Sequence, residues 1–160
     1  MKYERFEDLP VWKDSAKLSA KIFIMTEDKS FRFKGDIANQ IQRASLSISN
    51  NIAEGFERGT TQELITFLYY ARGSAGEVRS ILAVMELMPY FDNLKSQISD
   101  LKSKAESISR QIRGWADSLQ NTEITGQRYL NNQTKKGYEN KKSKEKFLEE
   151  LKQYSYKPKS

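Results

Sequence analysis

Apolar residues recur at helical spacing along most of the chain. From residue 94 to 119 they alternate steps of four and three without a break, at Leu94, Ile98, Leu101, Ala105, Ile108, Ile112, Trp115 and Leu119. A sustained seven-residue repeat indicates helices that pack with left-handed, knobs-into-holes geometry. The strict alternation of apolar and polar residues that is typical of strands is nearly absent. The pattern therefore predicts an all-α protein.

Two further helices are expected in the first 60 residues. Pro10 suits a first helical turn, so the first helix is predicted to begin there and to end near Thr26. The second is expected to start at Gly35 and to end between Gly55 and Gly59, where a glycine can supply a positive φ. The predicted apolar stripes are Leu9, Trp12, Ala16, Ser19 and Phe23 in the first helix, and Ile37, Ile41, Ala44, Ile48 and Ile52 in the second.

The third helix is predicted to begin after Thr60, because Thr60 and Glu63 have capping-box spacing. Pro89 ends it, and Asp92 is expected to cap the fourth helix. The third apolar stripe is Leu64, Phe67, Ala71, Ala75, Val78, Leu82 and Met85. Four amphipathic helices with short connections predict an antiparallel, up-down-up-down four-helix bundle over residues 1–121.

The net charge of +6 is concentrated after the predicted bundle. Residues 1–121 hold 17 Lys+Arg against 16 Asp+Glu, whereas residues 122–160 hold 10 against 5. Apolar residues in this basic C-terminal tail are too few to order it alone, so we expect it to be largely flexible. A candidate short helix at 141–154 would present one apolar stripe, made of Phe147, Leu148, Leu151 and Tyr154.

The composition excludes several kinds of chemistry. The chain has no cysteine and no histidine, so disulfides, thiolate nucleophiles and zinc-thiolate sites are excluded and the commonest general base is missing. Glu54 and Glu57 could resemble a carboxylate pair, but the Glu-x-x-His pattern of di-iron bundles is absent. We expect no enzymatic activity, no metal and no cofactor. Without a signal core or a spanning apolar run, we expect a cytoplasmic protein that does not bind membranes.

The second and third helices also carry polar residues among their apolar ones. An unsatisfied buried polar group costs about 1 to 3 kcal/mol, so such sets on facing helices predict a hydrogen-bond network that fixes helix register or subunit pairing. The predicted network is Arg43, Ser47, Asn51, Glu54, Arg72, Ser74 and Glu77. A ligand pocket at the same residues is the alternative.

Three segments resemble a known family: Phe6–Trp12, Gln40–Arg58 with its Asn51–Gly55 core, and Phe67–Glu77. They are similar to the four-helix-bundle proteins named after the intervening sequences of bacterial large-subunit ribosomal RNA genes. The resemblance covers roughly residues 6–119. It implies a ring-shaped homopentamer. It also implies kinship with the accessory variability proteins of diversity-generating retroelements, which bind reverse transcriptase and nucleic acid.

Basic residues on the bundle and in the tail are candidate phosphate contacts, because guanidinium and ammonium groups bind phosphates. The candidates are Arg58, Arg72, Arg79, Arg110, Arg113, Lys135, Lys136, Lys141, Lys142, Lys144 and Lys146. Tail aromatics could stack on bases, and these are Tyr129, Tyr138, Tyr154 and Tyr156. The alternative is that the arginines are ordinary solvated or ion-paired groups and that the tail is merely solvated.

These patterns together predict a homo-oligomeric, non-enzymatic adaptor that binds RNA or DNA, or a nucleic-acid enzyme such as a reverse transcriptase. Repetition around a ring would add many weak contacts by avidity. The alternative function is a protein-protein interaction scaffold that binds no nucleic acid, and a small-molecule pocket at the polar network is a third reading.

Overall fold

The computed structural model describes residues 3–121, 140 and 143–149. In residues 3–121, here called the helical body, the long helices are α1 (Pro10–Thr26), α2 (Gly35–Glu57), α3 (Thr61–Glu86) and α4 (Lys95–Gln120). Short 3-10 helices lie at Phe6–Asp8, Lys29–Phe31 and Pro89–Leu94. The described residues contain no β-strand, so the predicted all-α class is confirmed.

Each long helix contacts two others. The most extensive contacts join α2 to α3 and α3 to α4, and α1 packs against α2 and α4. The four helices thereby enclose one apolar core, with fully buried side chains that include Ile22, Ile48, Leu68, Leu82, Phe91 and Ile98. The heptad spacing explains this closure, because it keeps one apolar face of each helix turned inward.

The chain divides into two compact units, Met1–Gln127 and Arg128–Ser160. Within the second unit, residues 143–149 are helical and their side chains are exposed. They lie inside the helix predicted at 141–154, whose other residues are outside the described part of the chain.

The predicted limits of the first and third helices are confirmed. Pro10 and Thr26 are the terminal residues of α1. Thr60 is the N-cap of α3, where its Oγ1 accepts a hydrogen bond from the Glu63 backbone N–H at 3.2 Å. The same hydroxyl donates to Glu63 Oε2 at 2.8 Å. Thr60 and Glu63 therefore form the expected reciprocal cap.

The prediction that Asp92 caps α4 is wrong. Asp92 lies within the 3-10 helix Pro89–Leu94 and forms an ion pair with Lys95 at 2.8 Å. The N-cap of α4 is Leu94, which makes no side-chain capping bond. Its backbone, at φ −107° and ψ 1°, is not extended as an N-cap residue usually is. The 3-10 helix instead runs directly into α4.

The predicted end of α2 between Gly55 and Gly59 is confirmed, because the helix ends at Glu57, but the positive φ expected of a glycine there is wrong. Gly55 lies within α2 and is buried, and neither it nor Gly59 has a left-handed φ. Its importance is steric, because a Cβ at Gly55 would lie 2.6 Å from Phe67 Cβ on α3. The helix ends where Arg58 turns to an extended conformation, at φ −67° and ψ 144°.

The predicted apolar stripes of α2, α3 and α4 are confirmed, with only Ile37, Phe67, Trp115 and Leu119 half-buried. The stripe predicted for α1 is partly wrong. Phe23 is exposed, and Trp12 is half-buried because it packs on Phe6 with ring centroids 5.1 Å apart. The buried face of α1 instead comprises Val11, Ser15, Leu18, Ser19, Ile22 and Met25.

Candidate functional site

The predicted polar network centres on Ser47, where α2 and α3 meet. Asn51 Nδ2 donates to the Ser47 backbone oxygen at 2.7 Å and to Ser47 Oγ at 3.0 Å. From α3, the Ser74 hydroxyl lies 3.0 Å from Ser47 Oγ and 3.1 Å from the Tyr70 backbone oxygen. These half-buried side chains link the two helices at one register. The structure therefore joins three of the seven predicted network residues.

The other four residues of the predicted set lie apart from this link. Arg43, Glu54 and Glu77 are exposed and Arg72 is half-buried. Arg43 and Glu77 line an open cavity of about 390 Å³ on the outer side of α2 and α3, whose wall also includes Ser47. Glu54 forms an ion pair with Arg58 at 2.6 Å. The cavity offers one cationic and one anionic side chain, Arg43 and Glu77.

The polar side chains that are buried in the helical body are different ones, and only Ser19, on the predicted α1 stripe, was anticipated from the sequence. They are Ser15, Ser19, Ser45, Ser49 and Thr61. Ser15, Ser45 and Ser49 each donate to a backbone oxygen of the preceding turn, at 2.7 to 3.1 Å. Serine can be buried in a helix by such local bonds. The available signal was the four-residue spacing of these serines along the apolar faces.

Four of the five candidate arginines of the helical body are ion-paired. Arg58 contacts Glu54 at 2.6 Å, and its guanidinium lies 5.1 Å from the Phe67 ring centre. The hydrogen bond to Glu54 raises the pKa of Arg58 above its ordinary value. The remaining pairs are Arg79 to Glu106 at 3.9 Å, Arg110 to Glu106 at 2.9 Å and Arg113 to Asp117 at 3.5 Å.

Phosphate binding by these arginines would therefore require an exchange of partners. Exposed ion pairs contribute only about 0 to 1 kcal/mol, so a phosphate could displace the carboxylate at small cost. Arg79 and Arg110 share Glu106, but the four arginines do not form one cluster of ion pairs. The structure thus leaves them as dispersed single contacts.

Of the tail candidates, Lys144 and Lys146 lie on the described helical segment and are exposed. Lys135, Lys136, Lys141 and Lys142 lie outside the described residues, as do Tyr129, Tyr138, Tyr154 and Tyr156. Phe147 and Leu148 are exposed on the same short segment, at 59% and 48%.

A cationic groove between α1 and α4 was not anticipated from the sequence. It encloses about 260 Å³, and its apolar side chains are Leu18 and Ile108. Its polar lining residues are Asp14, Lys17, Lys21, Lys104, Ser107 and Gln111. Lys21 and Lys104 are close neighbours, and the proximity of this second ammonium group lowers the pKa of Lys21 below its ordinary value. The available signal was the four-residue spacing of Lys13, Lys17 and Lys21.

Within the described ranges, no three acidic residues lie close enough to hold a metal ion. None of the helices described is both long and apolar enough to cross a membrane.

Four long helices, a serine-asparagine link and dispersed ion pairs define a small helical protein. Residues 7–114 match the model of the 23S rRNA-intervening sequence protein family. The chain belongs to this family, so the resemblance found in the sequence is confirmed. No curated protein matches the chain.

Proposed function

We propose that this chain is a non-enzymatic adaptor that binds RNA or DNA, or a nucleic-acid enzyme such as a reverse transcriptase. The observation that carries the proposal is the segregation of charge. The tail holds 10 Lys+Arg against 5 Asp+Glu, whereas residues 1–121 are nearly neutral. Lysine and arginine bind phosphates largely through counterion release, which needs no fixed structure in the tail. The absence of cysteine from the sequence supports a cytoplasmic location.

The four helices of the proposed subunit form an antiparallel, up-down-up-down bundle. Contacts of each helix with two others support this arrangement. Two hydrogen bonds support the antiparallel direction of α4 relative to its neighbours. Gln120, at the end of α4, bonds Tyr69 near the start of α3 at 3.0 Å, and Gln111 bonds Asp14 near the start of α1 at 3.2 Å.

The proposed assembly is a homopentameric ring that forms through the outer side of α2 and α3. Leu46 and Tyr70 are 41% and 58% exposed there, and large exposed apolar groups often mark an interface. Arg43 and Glu77 line the same side and offer opposite charges for pairing between subunits. Five copies would place five tails around one axis, which raises overall affinity without any new contact.

Light scattering coupled to gel filtration tests the assembly and the nucleic-acid function together. Full-length protein is run at about 50 and 300 mM salt, with and without single-stranded RNA, single-stranded DNA or duplex. The matched variant replaces Lys135, Lys136, Lys141, Lys142, Lys144 and Lys146 with Gln in the full chain. A pentamer that binds at low salt and loses binding with the tail variant supports the proposal. A monomer, or a pentamer that binds none of the three nucleic acids, contradicts it.

A protein-interaction scaffold is the second candidate, and exposed apolar side chains at two helix connections favour it. Phe33, in the α1–α2 connection, is 87% exposed, and Leu87 and Tyr90, after α3, are 84% and 63% exposed. Lys34 Nζ lies 4.3 Å from the Tyr90 ring centre, so the two connections are adjacent. Under this reading, Phe33→Ser with Leu87→Ser abolishes capture of a protein partner, and RNA does not bind the unmodified protein.

A further inference from the structure

The groove between α1 and α4 combines an apolar floor with a cationic rim. Leu18 and Ile108, both nearly fully buried, form the floor. The ammonium groups of Lys17, Lys21 and Lys104 line the rim beside the polar side chains of Ser107 and Gln111. At about 260 Å³ the groove is slightly smaller than the roughly 300 to 1,000 Å³ of small-molecule pockets, so it suits one nucleotide unit and not a duplex.

Like charges are concentrated in this groove and on the face of α1 next to it. Lys13, Lys17 and Lys21 follow one another at four-residue steps, so they share a face of α1 with a rise of about 6 Å between them. Like charges at this spacing destabilise a helix. Lys104 adds a fourth ammonium group from α4, and its proximity lowers the pKa of Lys21. An anion between Lys21 and Lys104 would relieve this repulsion.

The nearby carboxylates offset this charge only in part. Asp14 accepts a hydrogen bond from Gln111 at 3.2 Å. Asp100 attracts the ammonium group of Lys21, but this raises the pKa of Lys21 less than Lys104 lowers it. Among the described residues, no carboxylate oxygen lies within 4.0 Å of the ammonium groups of Lys17, Lys21 or Lys104.

The groove lysines therefore differ from four of the five candidate arginines of the helical body. Arg58, Arg79, Arg110 and Arg113 each already have a carboxylate partner. Each lysine ammonium group has three hydrogen-bond donors. The ammonium groups on the groove rim can therefore bind an incoming anion without displacing a carboxylate. A phosphodiester is an anion with oxygen acceptors, and the flexible stems of lysine suit a strand whose phosphates vary in position.

We propose that the α1/α4 groove binds the phosphate backbone of a single nucleic-acid strand. Lys21 and Lys104 contact one phosphate and Lys17 contacts its neighbour. This inference rests on the proposed nucleic-acid function, and it adds a binding site on the helical body to the charged tail.

The test compares three variants of the full-length protein with the unmodified chain. The groove variant is Lys21→Gln with Lys104→Gln, and the matched control is Lys29→Gln with Lys95→Gln, which removes the same charge from exposed residues elsewhere. The third variant neutralises the six tail lysines named above. Binding of a fluorescein-labelled single-stranded RNA is measured by anisotropy from about 50 to 300 mM salt, after circular dichroism has verified equal helix content.

The groove variant is expected to bind roughly tenfold more weakly at 50 mM salt. The slope of log K against log salt should also become shallower by about 0.7 for each phosphate contact that is lost. The control variant should lose less than a third as much affinity for RNA as the groove variant does. If the groove and control variants bind alike while the tail variant loses binding, the groove proposal is wrong and the nucleic-acid function stands. If the unmodified protein does not bind RNA at any salt, the groove proposal is wrong, and so is the RNA-binding part of the proposed function.

Discussion

The close approach of α2 and α3 at Gly55 gives the sharpest test of the packing. A methyl group added at Gly55 would lie 2.6 Å from Phe67 Cβ, 3.3 Å from Leu64 Cδ1 and 3.4 Å from the Leu64 backbone oxygen. Favourable carbon-carbon contacts lie near 3.5 to 4.0 Å, so the two helices would have to separate by about 1 Å. Phe67 cannot turn aside to relieve the clash, because its Cβ is fixed to the backbone. Its ring is also packed edge-on against Tyr70 at 5.7 Å.

The free energy of unfolding follows from two opposing effects. Replacing glycine by alanine within a helix normally stabilises it by about 1 kcal/mol, whereas overpacking a core costs about 1 to 3 kcal/mol. Gly55→Ala is therefore expected to destabilise the protein by about 1 kcal/mol net. Gly114→Ala, on α4, meets no atom within 4 Å and should stabilise by about 1 kcal/mol. The expected difference between the two variants is about 2 kcal/mol.

Thermal unfolding followed by circular dichroism measures this difference. For a chain of this size, 2 kcal/mol corresponds to a difference in Tm of about 7 °C, with Gly55→Ala the lower. Both variants must be compared at one protein concentration, because self-association makes Tm depend on concentration. A Gly55→Ala variant as stable as Gly114→Ala would show that α2 and α3 do not approach this closely.

Three further predictions concern single side chains. Thr60→Ala should lower the free energy of unfolding by about 1 kcal/mol in urea titration because the Glu63 N–H loses its acceptor. Thr60→Ser should retain most of the stability that the cap contributes. Equal losses for the two variants would argue against the cap. Ser47→Ala removes the hydroxyl acceptor shared by Asn51 and Ser74 and should lower the free energy of unfolding by about 1 kcal/mol. Ser103→Ala, at an exposed position, should lower it by less than about 0.5 kcal/mol. Equal small effects of the two substitutions would contradict the interhelical link. Lys104→Gln should raise the pKa of Lys21 toward 10.5 in an NMR titration of its Nζ, and an unchanged pKa would refute the contact.

The direction of the Lys21 effect on stability follows from the same contact. The pKa of Lys21 in the folded protein is below its ordinary value of 10.5, so the unfolded chain holds that proton more tightly. The repulsion from Lys104 therefore opposes folding while both groups are charged. It is lost as pH rises through the lowered pKa of Lys21, so this pair favours greater stability toward alkaline pH.

Most of the fold could be predicted because three helices have aliphatic residues at regular heptad positions. In α2, α3 and α4 the apolar pattern and the buried face coincide, with Ile48, Leu82 and Ile98 fully buried. The predicted buried face of α1 was partly wrong because aromatic residues were taken to mark the core. Trp12 instead packs on Phe6, which lies in a 3-10 helix that the pattern of apolar residues does not indicate.

The site could be predicted only in part, because contacts between helices depend on their register. Ser47 and Ser74 are 27 residues apart, and neither residue identifies the other as its partner. The Lys13, Lys17, Lys21 spacing was visible in the sequence, but Lys104 joins it only once α4 is packed against α1. Placing the polar set on the outer side of α2 and α3 required the structure as well.

The segments that identify the family are explained by packing more than by chemistry. Within Asn51–Gly55, Asn51 bonds Ser47 and Gly55 admits Phe67, so this segment specifies how α2 meets α3. In the proposed bundle the α1/α4 groove lies on the opposite side, and a ring built through α2 and α3 leaves it open. Self-association and strand binding should then be separable. Tyr70→Glu should dissociate the ring and weaken RNA binding through lost avidity, while a further Lys21→Gln with Lys104→Gln should weaken the residual monomer binding again. If the two groove substitutions had no effect on the monomer, the groove would not be the strand site.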